Sequence, residues 1–89
     1  MKINRSSRFK RSFKKLPPRI QKDFDRKIKI FFDSPFAPFL RTHKLRGNLA
    51  DYYTFCLKDG YRVLFDFVSE NTVVLVNIGS HNDYGKWGR

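Results

Sequence analysis

The dipeptide Asp59-Gly60 narrows most what this chain can fold into. It separates two stretches, residues 52–58 and 61–67, that are rich in Tyr, Phe, Val and Leu. A two-residue hairpin turn needs positive φ at both central positions, and Asp-Gly tolerates that conformation. A third apolar stretch, residues 72–78, follows after Ser69-Glu70-Asn71. The expected product is a three-stranded antiparallel meander, with Lys2–Arg5 a candidate extra edge strand. The unbroken run Val73-Val74-Leu75-Val76 reads as a strand covered on both faces.

The first third of the chain follows the other period. Phe9, Phe13 and Leu16 recur at helical spacing, with Ser6 or Ser7 placed to cap the start. Pro17-Pro18 ends that helix, because proline disfavours helical backbone in the residue before it. Pro18 then suits the first turn of a second helix. There Ile20, Phe24, Ile28 and Phe31 form one face, Lys22, Arg26 and Lys29 point elsewhere, and Asp33-Ser34-Pro35 closes the element. A helical pair followed by a meander is an α+β fold, two N-terminal helices packed on an antiparallel β-sheet. Without repeats, low-complexity tracts or linkers, residues 1–89 read as a single domain, and ten Phe supply a core.

Charge bounds the function. Lys plus Arg number 19 against 8 acidic residues, a net of +11. Residues 1–30 carry 12 of those cations and only 2 acids, so the helical third is a polycation on a nearly neutral remainder. Such a field attracts nucleic acid through its phosphates; the alternative is a solvated face that serves solubility. The single cysteine, Cys56, forms no internal disulfide and reads as a buried, inert thiol in a strand. No Cys/His spacing suits a metal, and no cofactor is expected. No apolar run reaches membrane-spanning length and the N-terminus lacks a signal peptide's apolar stretch, so a cytoplasmic protein is expected.

His43 and His81 are the two histidines, and histidine titrates near neutrality, as proton transfer requires. Counting pairs back from a turn centred on Glu70-Asn71 sets Val68 opposite Val73 and Arg62 opposite Gly79. A two-residue Asp59-Gly60 turn sets Leu57 opposite Arg62. Directly opposed residues share a face, so a strand continuing past Gly79 brings His81 beside Arg62. An Arg next to a His can hold a phosphate and move a proton. Lys44 and Arg46 flank His43 as phosphate-binding candidates, or as a solvated strand edge. Tyr84 and Trp87 can stack on unpaired bases; Trp87 can equally pin the tail to the core.

The succession Leu16-Pro17, Ser34-Pro35, His43-Lys44-Leu45-Arg46-Gly47, Asp59-Gly60-Tyr61-Arg62-Val63 and Ile78-Gly79-Ser80-His81 resembles the RelE/ParE toxins. The resemblance extends from Ile3 to about Trp87. It implies the toxin of a type II toxin–antitoxin system, a ribosome-dependent endoribonuclease cutting mRNA in the A site. The 2′-hydroxyl would attack the adjacent phosphate without a metal, leaving a 2′,3′-cyclic phosphate and a 5′-hydroxyl. By resemblance to the RelE-like mRNA interferases, Arg62 is the phosphate ligand and His81 the candidate acid; by resemblance to the YafQ-like and YoeB-like branches, His43 is the candidate base. Lys44, Arg46 and Tyr84 are candidate substrate contacts, although the family's tail aromatic lies one residue further along than Tyr84. The partners implied are a cognate antitoxin, the ribosome and mRNA. A ParE-like gyrase inhibitor and a non-catalytic RNA-binding module are the alternatives.

Overall fold

The computed structural model describes residues 1–49 and 51–87. Strand β1 (Lys2–Arg5) leads into helices α1 (Ser7–Lys14) and α2 (Pro18–Asp33). The short strand β2 (His43–Lys44) precedes the meander β3 (Tyr53–Cys56), β4 (Arg62–Ser69) and β5 (Thr72–Gly79). One turn of helix, α3 (His81–Tyr84), follows. The sheet order is β1-β5-β4-β3-β2, antiparallel except that β1 runs parallel to β5. The α+β expectation holds, and Lys2–Arg5 is the edge strand anticipated.

Local chemistry sets the helix ends. Ser6 Oγ accepts the Phe9 N–H at 3.0 Å and donates to the Val76 carbonyl at 2.8 Å, so one hydroxyl caps α1 and fastens it to the sheet. Pro18 occupies the first turn of α2, where its missing N–H costs nothing, and Ser34 closes the helix. Phe9, Ile20, Phe24 and Phe31 are fully buried against Phe55, Val63, Phe65, Val73 and Leu75. The rings interlock: Phe31 lies 4.9 Å from Phe55 and 4.8 Å from Phe65, centroid to centroid. Each such ring contributes about 1.5–3 kcal/mol of burial. No described helix is long and apolar enough to cross a membrane.

A buried polar group ties α2 to the meander. Asp23, nearly inaccessible, accepts the Lys58 N–H at 2.8 Å, the Lys27 ammonium at 3.0 Å and the Arg26 guanidinium at 2.7 Å. Burial alone would raise its pKa; the Lys58 N–H and the two cations outweigh that and hold the carboxyl below its ordinary 3.8. Lys27 itself is buried. The helical pattern places Asp23 and Lys27 next to the core face without revealing that they go inside.

The register departs from expectation in an instructive way. The Tyr61 N–H donates to Lys58 O, and Asp59 and Gly60 both have positive φ, as the turn chemistry demands. The hairpin nevertheless closes through Leu57 N–H to Tyr61 O, so Cys56, not Leu57, faces Arg62. Phe67, not Val68, faces Val73. Arg62 does face Gly79. Two irregularities cancel: Val68 is extra on β4 and Val76 is extra on β5. The second bulge lies where β1 leaves the sheet, and it keeps Ile78 in the core beside Val63. The run from Val73 to Val76 is not covered on both faces. Val73 and Leu75 are fully buried beneath the helices, whereas Val74 and Val76 are only half-buried, because the opposite face is partly open.

Candidate active site

Sheet pairing defines two faces. Val63, Phe65 and Phe55 point into the helical core. On the other face one row runs His43–Thr54–Leu64, and the next runs Cys56–Arg62–Gly79. His43 and Arg62 therefore share the face away from the helices. They stand two strands and two residues apart, roughly 12 Å between Cα atoms from ideal sheet spacings. That gap admits a sugar–phosphate unit between the side chains.

His81 reaches this region by a different route from the one the strand count implied. The strand stops at Gly79, and His81 is the first residue of α3. Ser80 terminates the strand by forming a capping box: its hydroxyl accepts the Asp83 N–H at 3.3 Å, and Asp83 Oδ2 accepts the Ser80 N–H at 3.2 Å. The Ser-x-x-Asp signature was legible in the sequence and outweighs continuation of the strand. Helix α3 turns Tyr84 back onto β4, where the Arg62 guanidinium sits 4.9 Å from the ring centroid. The exposed His81 ring lies 6.3 Å from that of Tyr84, nearly parallel to it. Arg62, Tyr84 and His81 form one cluster, with Tyr84 neighbouring both others.

Trp87 braces this arrangement. Its ring meets Tyr84 edge-on at 5.6 Å and packs against Gly79. A Cβ at Gly79 would lie 2.9 Å from Asp83 Cβ and 3.1 Å from Trp87 Cζ2. Glycine is thus required for α3 to fold back over the strand end. Trp87 serves as the pin between tail and core.

His43 is oriented by backbone. Its Nδ1 lies 2.9 Å from the carbonyl oxygen of Arg41. A carbonyl only accepts, so Nδ1 carries the proton, and Nε2 of the neutral ring keeps its lone pair. Arg41 holds that carbonyl in place from a left-handed conformation, φ 52° and ψ 39°. Nothing in the sequence pattern marked Arg41 as the orienting residue.

The remaining candidates are more dispersed. Lys44 pairs with Tyr53 and so belongs to the opposite face from His43, exposed at the sheet edge. Arg46 is exposed in the loop after β2. Cys56 is half-buried, not buried, because it faces Arg62 on the open side of the sheet.

No protein-family model matches the sequence, and no curated protein matches it. The architecture is that of the RelE/ParE-like toxins of toxin–antitoxin systems. It is similar to YafQ from E. coli strain BL21(DE3), with a TM-score of 0.78 at 12% identity over 92% of this chain and 94% of that one. A YoeB/ParE toxin from Agrobacterium tumefaciens matches at a TM-score of 0.74 and 16% identity, over 91% of this chain and 99% of its own. The intact E. coli RelBE toxin–antitoxin complex matches at 0.69 and 23%, over 89% and 94%.

Proposed function

We propose that this protein is the toxin of a type II toxin–antitoxin pair and acts as a ribosome-dependent endoribonuclease on A-site mRNA. The observation that carries the reading is the union of Arg62, Tyr84 and His81 on the face that also holds His43, whose Nε2 is free to accept a proton. His43 takes the proton of a ribose 2′-hydroxyl, whose oxygen bonds to the adjacent phosphorus. Arg62 neutralises the charge gathering on the phosphoryl oxygens. The bond from phosphorus to the 5′-oxygen breaks as His81, in its imidazolium form, protonates the leaving oxygen. The products are a 2′,3′-cyclic phosphate and a 5′-hydroxyl, and no metal takes part.

The exposed cations of α1 and α2 support attachment to ribosomal RNA, and Lys44 on the sheet edge and Arg46 in the loop after it supply further phosphate contacts. The toxin–antitoxin complex among the similar structures supports a cognate antitoxin as the silencing partner. Such a protein works in the cytoplasm.

Single-turnover cleavage of ribosome-bound mRNA tests the assignment. Arg62→Ala and His81→Ala should each slow cleavage by about 10²-fold or more, and His43→Ala should slow it as well. The 5′ fragment should end in a 2′,3′-cyclic phosphate and the 3′ fragment in a 5′-hydroxyl. A folded His81→Ala protein that cuts at the parental rate removes His81 from the mechanism. Toxicity that survives loss of all three side chains would point instead to a gyrase inhibitor.

A further inference from the structure

Beside Arg62 lies a cavity, lined by neither Tyr84 nor His81, that the mechanism above does not use. Lys27, Phe39, Arg41, Lys58, Tyr61 and Arg62 are among its lining residues. Two of its charges are already satisfied: Lys27 is paired with Asp23, and Asp59 at the rim is paired with Arg19 at 3.0 Å. Arg41, Lys58 and Arg62 have no carboxylate within salt-bridge distance among the described residues. The cavity therefore presents three uncompensated cations around its mouth.

An aromatic ring stands among them. Phe39 is 61% exposed, a large apolar surface left in water at the edge of a polar cavity. Its neighbour Leu40 is fully buried and anchors the 3₁₀ turn Pro38–Leu40, which holds Phe39 and Arg41 outward on either side. The Lys27 ammonium lies 5.3 Å from the Phe39 ring centroid. Arg41 adopts the left-handed conformation, which arginine rarely does. Strained backbone that persists at a ligand-facing position is a feature of sites where a side chain must be held in one place.

We infer that this cavity is a nucleotide subsite for single-stranded RNA, in which Phe39 stacks on an unpaired base and Arg41 with Lys58 holds the phosphate next to the one at Arg62. The inference rests on the nuclease reading only for which phosphate Arg62 engages. An exposed ring ringed by cations is the equipment by which single strands are bound without sequence preference. Because Arg62 borders both the cavity and the Tyr84–His81 cluster, one strand can run through both. The subsite gives the protein a grip on the nucleotide beside the scissile bond.

The test is binding of a fluorescently labelled RNA hexamer with 2′-O-methyl riboses, which lacks the attacking hydroxyl, to the full chain. A second probe has the same sugar–phosphate chain with abasic positions. Phe39→Ala should weaken binding of the hexamer roughly tenfold and leave the abasic probe unchanged. Arg41→Gly keeps the left-handed backbone and the carbonyl that orients His43. It should weaken both probes and lower the slope of log affinity on log salt by about 0.7. Phe32→Ala, removing another exposed ring outside the cavity, should change neither probe. Parental affinity for both probes in Phe39→Ala and Arg41→Gly overturns the subsite, even if the parent protein cleaves mRNA. Loss of base-dependent affinity in Phe39→Ala upholds it, even if the parent protein proves unable to cut.

Discussion

Replacing Asp23 with asparagine should be among the most damaging single changes outside the aromatic core. The substitution keeps the shape and an acceptor for the Lys58 N–H, but it turns a carboxylate facing two cations into a neutral amide. Lys27, with its side chain only 9% exposed, is left as a nearly buried ammonium without a counter-charge. Breaking one half of a buried pair costs about 3–5 kcal/mol. The Lys27 ammonium borders an open cavity and a Phe ring, so the lower end, about 3 kcal/mol, is expected. That is a large share of the 5–15 kcal/mol typical of native proteins. With a urea m-value near 1–1.5 kcal/mol/M for a small domain, the midpoint should fall by about 2–3 M, read by far-ultraviolet circular dichroism. Adding Lys27→Met should restore much of the loss, since no unpaired charge then remains. The pH dependence has a fixed sign. The folded-state pKa lies below 3.8, so the unfolded chain binds more protons through the acid range. The stabilisation is complete above the unfolded value and is lost as pH falls through the lower folded one. The gap between parent and Asp23→Asn should close over that window. An asparagine variant within about 0.5 kcal/mol of the parent, or a gap that acid leaves untouched, would refute the reasoning.

Gly79→Ala should drive Asp83 and Trp87 off the strand end, shifting Trp87 emission to the red and costing about 10²-fold in cleavage through displaced His81 and Tyr84. Its effect on the core should be small, because α3 packs at the margin. Asn77→Ala removes the acceptor shared by Ser12 Oγ at 2.7 Å and Ile78 N–H at 2.9 Å, and should cost about 1–3 kcal/mol in chemical denaturation. Reversing charge at the exposed Lys22 and Lys29 should weaken ribosome binding and flatten its salt dependence, measured by co-sedimentation across a salt series. Unchanged binding would leave those charges a role in solubility alone.

The elements most legible in the sequence were those set by local chemistry. Phe9 and Phe13, the Pro17-Pro18 break and Asp59-Gly60 each act through backbone sterics or a single period, and each did what its chemistry requires. The Arg62–Gly79 pairing follows from the count although the Val68–Val73 pairing that began it does not form, because the surplus residues Val68 and Val76 offset each other. Bulges are decided by tertiary fit, here by where β1 ends and which apolar side chains fill the core, and no pairwise count anticipates them. Asp23 and Lys27 were illegible for a related reason. Their burial depends on the Lys58 amide, 35 positions further on. His81 lies in the expected neighbourhood but on a helix and not a strand, since the Ser80–Asp83 capping box overrides continuation of β5.

The parallel pairing of β1 with β5 has a consequence in time as well as space. Residues separated by 70 positions must meet before α1 is fastened, since Ser6 reaches its acceptor at Val76 only then. During synthesis the first strand and the polycationic helices emerge with nothing to close against, and β5, the strand that joins β1 to the meander, emerges only after all the other strands. The nascent chain thus carries its polycationic helices well before it is competent as the proposed nuclease. His81 and Tyr84 come later still, on the far side of the closing strand. A prematurely terminated product would carry the charge without the proposed cutting centre, so under that proposal the order of translation would keep incomplete chains from cutting RNA.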